Sequence, residues 1–417
     1  MTEITPKNNK TVCIAFPDKE HYQKCMEDAK IFRKFLNETY NRHPELFPAG
    51  FVKGYTLHSF IPSRKQKGFI MRRIQLNNIK GDVWQIRPSF MMPYMISETE
   101  EVEKALYLCR WGIPFEALVY VFGHNAMFWY NVYVSLGRNS IVGTTVKDPE
   151  LLPVHLLADE KHTRLKGEKV YVTTTVSQGC ILGVGLAENA GTAALTEGYR
   201  DFREEARRVA PDYRPETVNT DGWEATRKAW EKLFPSVIVI LCFLHSFLKV
   251  RDRCRRSKEI LGSVGEKIWN VYHSDTLAQF AQRIRRLREW SGKLADAESV
   301  KEKIAELCEK APRFKAAFSA PDAYRTSNMI DRLMNYRDRV LYAMQYFHGS
   351  HKSAVLYLRS MALLWNFHPY GTKTVSRDPD RVSPFKDFNG FQYHNNWLEN
   401  MLIACSMGGA KCDHKIL

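Results

Sequence analysis

At 417 residues the chain has room for two or three domains, and its 44% hydrophobic and 26% charged residues are those of an ordinary chain with buried cores. The formal net charge of +15 favours a polyanionic partner, because each basic side chain seated on a phosphate releases a condensed counterion. Ribosome-binding and membrane-surface proteins share such an excess. Residues 1–7 lack the apolar stretch of a signal peptide, and the longest apolar run, residues 237–244, falls far below the ~20 needed to cross a bilayer. That run reads as a buried strand. Nine cysteines, an odd number without a repeating CxxC pair, point to free thiols in a reducing compartment rather than a disulfide framework. The expectation is a cytoplasmic, nucleoid-associated protein with no membrane partner.

No internal repeat or low-complexity tract interrupts the chain. Residues 1–96 read as a basic, mixed α/β N-terminal region, with a helix-like run over 25–40. Short β-like runs follow between 51 and 95, interleaved with Arg64, Lys65, Lys67, Arg72, Arg73 and Arg87. Two readings of those basic residues stand side by side: a lining for a DNA backbone, and a small sheet with a solvated face. Residues 97–141 carry a three-helix pattern. Ser97 to Glu100 spell a capping box, and Val102, Ala105, Leu106 and Cys109 recur at helical spacing. Gly112 and Pro114 close that helix, and Phe115, Leu118, Val119 and Phe122 mark a second. Gly123 then leads into a third over 125–136. Two short helices, a glycine turn and a third helix offering Asn125, Trp129, Asn131 and Tyr133 describe a helix-turn-helix, although tri-helical packing also occurs without DNA binding. Asn125 and Asn131 are the candidate base readers.

After a Gly/Thr-rich linker at 142–145 the pattern turns β-rich. Strands are expected at 154–159, 170–176 and 180–186, then a helix at 195–209, a strand at 217–220, a helix at 224–233 and a strand at 237–241. Three strands followed by alternating helix and strand is the order of a ribonuclease-H-like α/β catalytic core, antiparallel first and parallel later. Its first part spans 150–245. A basic helical insertion occupies 246–325, with Arg251, Arg253, Arg255 and Arg256 and then Arg283, Arg285, Arg286 and Arg288. The final core helix, from about 328, opens the C-terminal region 326–417.

Three acids fall where that core brings elements together: Asp159 ending the first strand, Asp221 ending the fourth, and Asp331 in the first turns of the final helix. Two-metal phosphodiester cleavage needs carboxylates that hold the ions ~3.5–4 Å apart. Mg²⁺ takes hard oxygen ligands and keeps several waters, so a few carboxylates suffice. Each acid also has a plainer reading. Asp159 could be a turn or cap residue, Asp221 could shape the turn before Gly222, and Asp331 could belong to a solvated helix face. Against the last, Asn328, Asp331 and Asn335 form one polar line beside the apolar line Ile330, Leu333 and Met334.

The run Asp221-Gly222-Trp223-Glu224-Ala225-Thr226, followed by Leu233-Phe234-Pro235 and Cys242-Phe243-Leu244-His245, resembles the second catalytic block of Mutator-like transposases and related bacterial insertion-sequence transposases. In that group a Cys/Asp-x-x-His motif follows the acid. Thr326 to Asp331 resembles the third block and Ala158 to His162 the first, so the likeness covers about 154–348. It implies a DDE/DDD site in which Asp159, Asp221 and Asp331 bind Mg²⁺ (or Mn²⁺) and catalyse. His245 would lie near Asp221, contacting the scissile phosphate or a metal-bound water. It implies DNA partners, both transposon ends and target, and a homo-oligomer assembled on them. The insertion would hold end DNA through Arg283, Arg285, Arg286 and Arg288, with Trp269 and Trp290 as stacking candidates.

The third acid of these families is usually Glu, which keeps Glu399 as a rival to Asp331. A zinc reading of Cys242 and His245 lacks a second pair at ligand spacing, Cys405, Cys412 and His414 being a poor substitute. The implied function is DNA transposition by metal-dependent cleavage and strand transfer. The alternatives are a domesticated transposase acting as a sequence-specific DNA-binding regulator, and a ribonuclease-H-like structure-specific nuclease such as a junction resolvase.

Overall fold

The computed structural model describes residues 10–63, 68–77, 81–93, 97–254, 258–294, 297–320 and 322–409. Arg64, Lys65, Lys67, Arg255, Arg256, Cys412 and His414 lie outside the described residues. Strands β1 (Thr11–Ile14), β2 (Tyr55–Pro62), β3 (Ile70–Leu76) and β4 (Val83–Pro88) form one sheet in the order β1-β4-β3-β2, with β1 parallel to β4 and the rest antiparallel. Helices Lys19–Glu27 and Ala29–Arg42 cover it, setting Tyr22, Cys25, Phe32 and Leu36 against Val12, Ile14, Ile74 and Ile86. The basic residues here do not make one solvated stripe. Arg72 is buried, donates to the Met26 carbonyl at 2.9 Å, and lies over the rings of Phe32 and Phe60. Its stem and planar head pack as apolar surface does.

A second sheet is built from β5 (His155–Leu165), β6 (Glu168–Ser177), β7 (Cys180–Ala187), β8 (Thr217–Thr220) and β9 (Ile238–Leu241), in the order β7-β6-β5-β8-β9. The β5–β6 and β6–β7 pairings are antiparallel, while β5–β8 and β8–β9 are parallel. Alternation along β5 decides what each face receives. Leu156 and Ala158 turn toward helices Thr192–Val209 and Glu224–Leu233, among Tyr199, Phe202 and Trp230. Leu157 turns to the other face with Val172, Val176 and Val184, beneath helices Asn328–Ala343 and His351–Phe367. The Thr192–Val209 helix approaches so closely that a Cβ at Gly185 would collide with the Gly198 carbonyl.

Two strand expectations change. β5 does not stop at Asp159 but runs on to Leu165, because its pairing with β6 continues without a break to the hairpin. Residues 237–244 do not form one buried strand: β9 is an edge strand with Ile238 exposed, and helix Phe243–Cys254 begins two residues after it ends.

Helices Phe243–Cys254, Lys258–Tyr272, Leu277–Ser291, Glu298–Glu309 and Ala311–Lys315 make an insertion with its own apolar core, including Val250, Ile268, Phe280, Leu287, Ile304 and Phe314. It returns beside its exit, where the Phe243 amide donates to the Arg325 carbonyl at 3.1 Å.

The three helices Thr99–Arg110, Phe115–Phe122 and Ala126–Leu136 appear where the pattern puts them. The capping box sits one residue later than the sequence suggests, with Glu98 as N-cap and Glu101 as its partner. Trp129 and Tyr133, expected as exposable, are 2% and 0% exposed. The third helix lies against His351–Phe367, with the Tyr133 ring stacked 4.4 Å from Tyr357. Helix Trp397–Ala404 closes back on the N-terminal sheet, adding Ile403 to its core. The eight described cysteines are all free and buried. Among the described residues no helix is long and apolar enough to cross a membrane.

Candidate active site

β5 and β8 pair in parallel at His155–Thr217, Leu156–Val218 and Leu157–Asn219. The pairing stops two residues short of Asp159, which stays in β5, and of Asp221, which follows the end of β8. Burial first, and then the charge of Asp221, push the Asp159 carboxyl up to about 6; the Glu160 amide, His245 and Arg337 oppose them. Asp159 Oδ1 accepts from the Glu160 amide at 2.8 Å, and Asp221 Oδ1 accepts from the Trp223 amide at 2.9 Å. Asp221 therefore does shape its turn with one oxygen. Gly222, at φ +89°, allows that turn, and a Cβ there would collide with Leu241.

The loop before helix Asn328–Ala343 brings in the remaining groups. The buried Ser327 hydroxyl lies 3.2 Å from both Cys242 Sγ and His245 Nδ1, and 3.5 Å from Asp331 Oδ2. Donating a hydrogen bond to the Cys242 sulfur raises His245 to about 9 against its burial, helped by the charges of Cys242, Asp159 and Asp331. Burial raises the Cys242 thiol, but the bond and charge of His245 together with Ser327 outweigh it and bring the thiol below its ordinary value. The cluster thus favours the protonated imidazole of His245 beside the Cys242 sulfur and within the field of Asp159 and Asp331. Asp331 meets Ser327, which contacts His245, and the charge of His245 reaches Asp159. Glu399 stands elsewhere, accepting from Ser89 Oγ at 2.6 Å and lying 3.9 Å from His394 on the helix that packs against β1.

Two further residues belong to this neighbourhood. Arg337, buried, donates to Thr174 Oγ1 at 2.7 Å, and Thr174 is the β6 residue paired with Asp159. Burial lowers Arg337 to about 10, while the charges of Asp338 and Asp159 hold it up. An arginine on the same helical stripe as Leu333, Met334 and Leu341 is the sequence signal that marks it. Glu160 faces the opposite side of the sheet, where Tyr199 and Thr226 donate to its Oε1 at 2.7 and 2.8 Å. Burial pushes it to about 7 despite those bonds.

The donor chemistry fits a hard divalent cation at Asp159 and Asp221, since each carboxylate spends one oxygen on a single backbone amide and the pair repel each other. Among the described residues no three metal-ligating side chains converge into a ready-made coordination set.

The nucleic-acid candidates divide. Asn125 caps its helix, accepting from the Phe128 amide at 2.7 Å, while Asn131 is exposed. Arg283 donates to the carbonyls of Asn270 and His273 at 2.6 and 2.9 Å. Arg285, Arg286 and Arg288 are exposed, Arg285 lying 3.7 Å from Glu289. Trp269 packs its ring 5.2 Å from Phe247 and 5.1 Å from Tyr272, and Trp290 rests half-buried on the insertion core. No family model matches this chain and no curated protein matches it.

Proposed function

We propose that the chain is a metal-dependent DNA transposase that cuts and joins DNA strands, with Asp159, Asp221 and Asp331 as its acids. The observation that carries this reading is the charge of Asp221, just past the end of β8, acting on Asp159 in β5: after burial it is the larger cause that raises Asp159 to about 6. Such repulsion is unfavourable in an empty fold and is relieved by a dication. The order β7-β6-β5-β8-β9, with its switch from antiparallel to parallel pairing, supports a ribonuclease-H-like core, and the net charge of +15 supports a DNA partner. Mg²⁺ or Mn²⁺ held by Asp159 and Asp221, with Asp331 beside them, would activate the attacking oxygen and neutralise the leaving one. His245, kept positive and oriented by Ser327 and Cys242, would seat a non-bridging phosphate oxygen by a charge-assisted hydrogen bond. Arg337 positions β6 beneath Asp159 through Thr174.

Plasmid nicking and labelled-duplex cleavage with Mg²⁺ or Mn²⁺ test the reading. The native protein should cut, and Asp159→Asn, Asp221→Asn or Asp331→Asn should abolish cutting while DNA binding persists, because an amide is a poorer ligand than a carboxylate. Equal cutting by Asp159→Asn and the native protein sinks the proposal. Binding without cutting by the native protein would make it a DNA-binding regulator instead. Normal cutting by Asp331→Asn together with failure of Glu399→Gln would reassign the third acid.

A further inference from the structure

Beyond Asp159, β5 continues into its hairpin with β6, and the far half of helix Asn328–Ala343 runs alongside. Between them lies a cleft of about 960 Å³ whose lining includes Lys161, Arg164, Lys169, Arg339, Tyr342 and Tyr346. Its walls are tied together. The Phe347 amide donates to the Arg164 carbonyl at 3.1 Å, and the Lys166 amide donates to the Phe347 carbonyl at 2.8 Å, stapling the hairpin to the chain that leaves the helix. Four basic side chains of the lining outnumber its two acids, Glu168 and Asp338. Lys161 pairs with Asp338 at 2.8 Å, Lys169 lies 5.2 Å over the Tyr171 ring and Arg339 5.6 Å over Trp111, so the cleft's positive sign is a modest excess of Arg164, Lys169 and Arg339 over Glu168.

The tyrosines are the second observation. Tyr342 is 77% exposed and Tyr346 38%, and neither ring stacks on another among the described residues. Flat rings left open to solvent beside a basic wall suit a partner that offers both phosphates and exposed base faces. A duplex hides its base faces in its own stack, whereas a single strand presents them, and stacking of this kind tolerates any sequence. The cleft also lies on the line of β5: Lys161 is two residues past Asp159 on the same face, ~7 Å away, and the hairpin end lies ~20 Å away.

We propose that this cleft seats a single DNA strand running to or from the acids, a placement that rests on the transposase reading for its purpose but not for its binding chemistry. Fluorescence anisotropy with a labelled oligothymidine and a labelled duplex tests it on the full chain. Tyr342→Ala combined with Tyr346→Ala should weaken oligothymidine binding roughly tenfold or more and leave duplex binding nearly unchanged. The corresponding Phe pair should restore single-strand binding, which separates stacking from a folding defect. Arg164→Gln, Lys169→Gln and Arg339→Gln together should lower the single-strand salt slope by about 0.7 for each phosphate no longer neutralised.

Unaltered oligothymidine affinity in the alanine pair overturns the cleft. Equal weakening of heparin, a polyanion without bases, overturns the stacking role. A native protein that binds and cuts duplex but ignores single strands removes the cleft and leaves the enzyme reading intact. A native protein that binds neither DNA removes both.

Discussion

Asp159 shows how one carboxylate can be unfavourable for the fold and useful to the chemistry. Its folded value of about 6 stands above the ordinary 3.8, so the fold prefers the neutral acid. The stability this contributes is fully present below about pH 4 and is lost as pH rises through 6, roughly 3 kcal/mol for a shift of about two units. In metal-free buffer at pH 8, Asp159→Asn should therefore raise stability by up to about 3 kcal/mol, with the gap narrowing toward pH 5. Urea unfolding in EDTA at both pH values measures it, and a gap that ignores pH would mean Asp159 is not held by Asp221 and burial as described. His245 has the same sign at a higher range: raised to about 9, it contributes stability fully below its ordinary 6.5, and that is lost as pH rises through 9. Between those windows the site carries an ionised Asp159 beside a charged imidazole, the state that a dication and a phosphate would meet. Cutting should accordingly fall as pH drops through 6, when a proton competes for Asp159.

At the scale of elements, the helix Ala126–Leu136 separates two asparagines that the sequence pairs as base readers. Asn125 holds the first turn through its side-chain oxygen, so Asn125→Ala should lower stability by about 1 kcal/mol with little change in DNA selectivity. Asn131 is exposed, and Asn131→Ala should leave the melting temperature unchanged while weakening specific over random DNA, if this helix reads bases. Melting curves and paired titrations distinguish the two, and matching losses at both sites would contradict the assignment. Helices and strands of this chain are legible in sequence because periodicity is a local signal: the three helices of 97–141 and the strands expected at 170–176, 180–186 and 217–220 follow from it. What periodicity does not carry is which stripe meets which neighbour. Tyr133 looks presentable until His351–Phe367, more than 200 residues later, packs on it, while Trp129 is held by Phe122, His124 and the Gly123 carbonyl. Asp221 could be set at the end of its strand because a following glycine is a local feature, whereas the strand end expected at Asp159 is not there: β5 runs on to Leu165. Ser327, Arg337 and Glu160 escaped because their partners, His245, Thr174 and Tyr199, are set by tertiary register.

A buried ion pair joins several helices of the molecule, and a separate cluster of exposed arginines sits on the insertion. Arg359, 3% exposed, meets Glu205 across the core and donates to the carbonyls of Gly137 and Asn139 at 2.9 and 2.8 Å. Glu205 in turn accepts from Ser140 Oγ at 2.9 Å and from the Val142 amide at 3.0 Å. Helices of the tri-helical region, the sheet cover and His351–Phe367 thus share one pair, and Arg359→Leu should cost about 3–5 kcal/mol by stranding a buried carboxylate. The insertion calls for the opposite treatment. Arg283 ties down the end of Lys258–Tyr272, so Arg283→Gln should lower the melting temperature and leave the DNA salt slope alone. Arg285, Arg286 and Arg288 are exposed on helix Leu277–Ser291, Arg288 also reaching the buried Cys308 thiol. Changed together to Gln, they should weaken binding to any duplex and reduce the salt slope by ~0.9 for each phosphate they had neutralised. If they merely solvate a surface helix, affinity and slope will both stay where they are. Titrating the triple variant against labelled duplex at several salt concentrations decides it, with Arg283→Gln run beside it to show what a purely structural loss looks like. An unchanged slope in a folded triple variant takes the insertion off the DNA-binding surface and leaves the positive charge of this chain to be placed elsewhere, with the cleft beside β5 next in line.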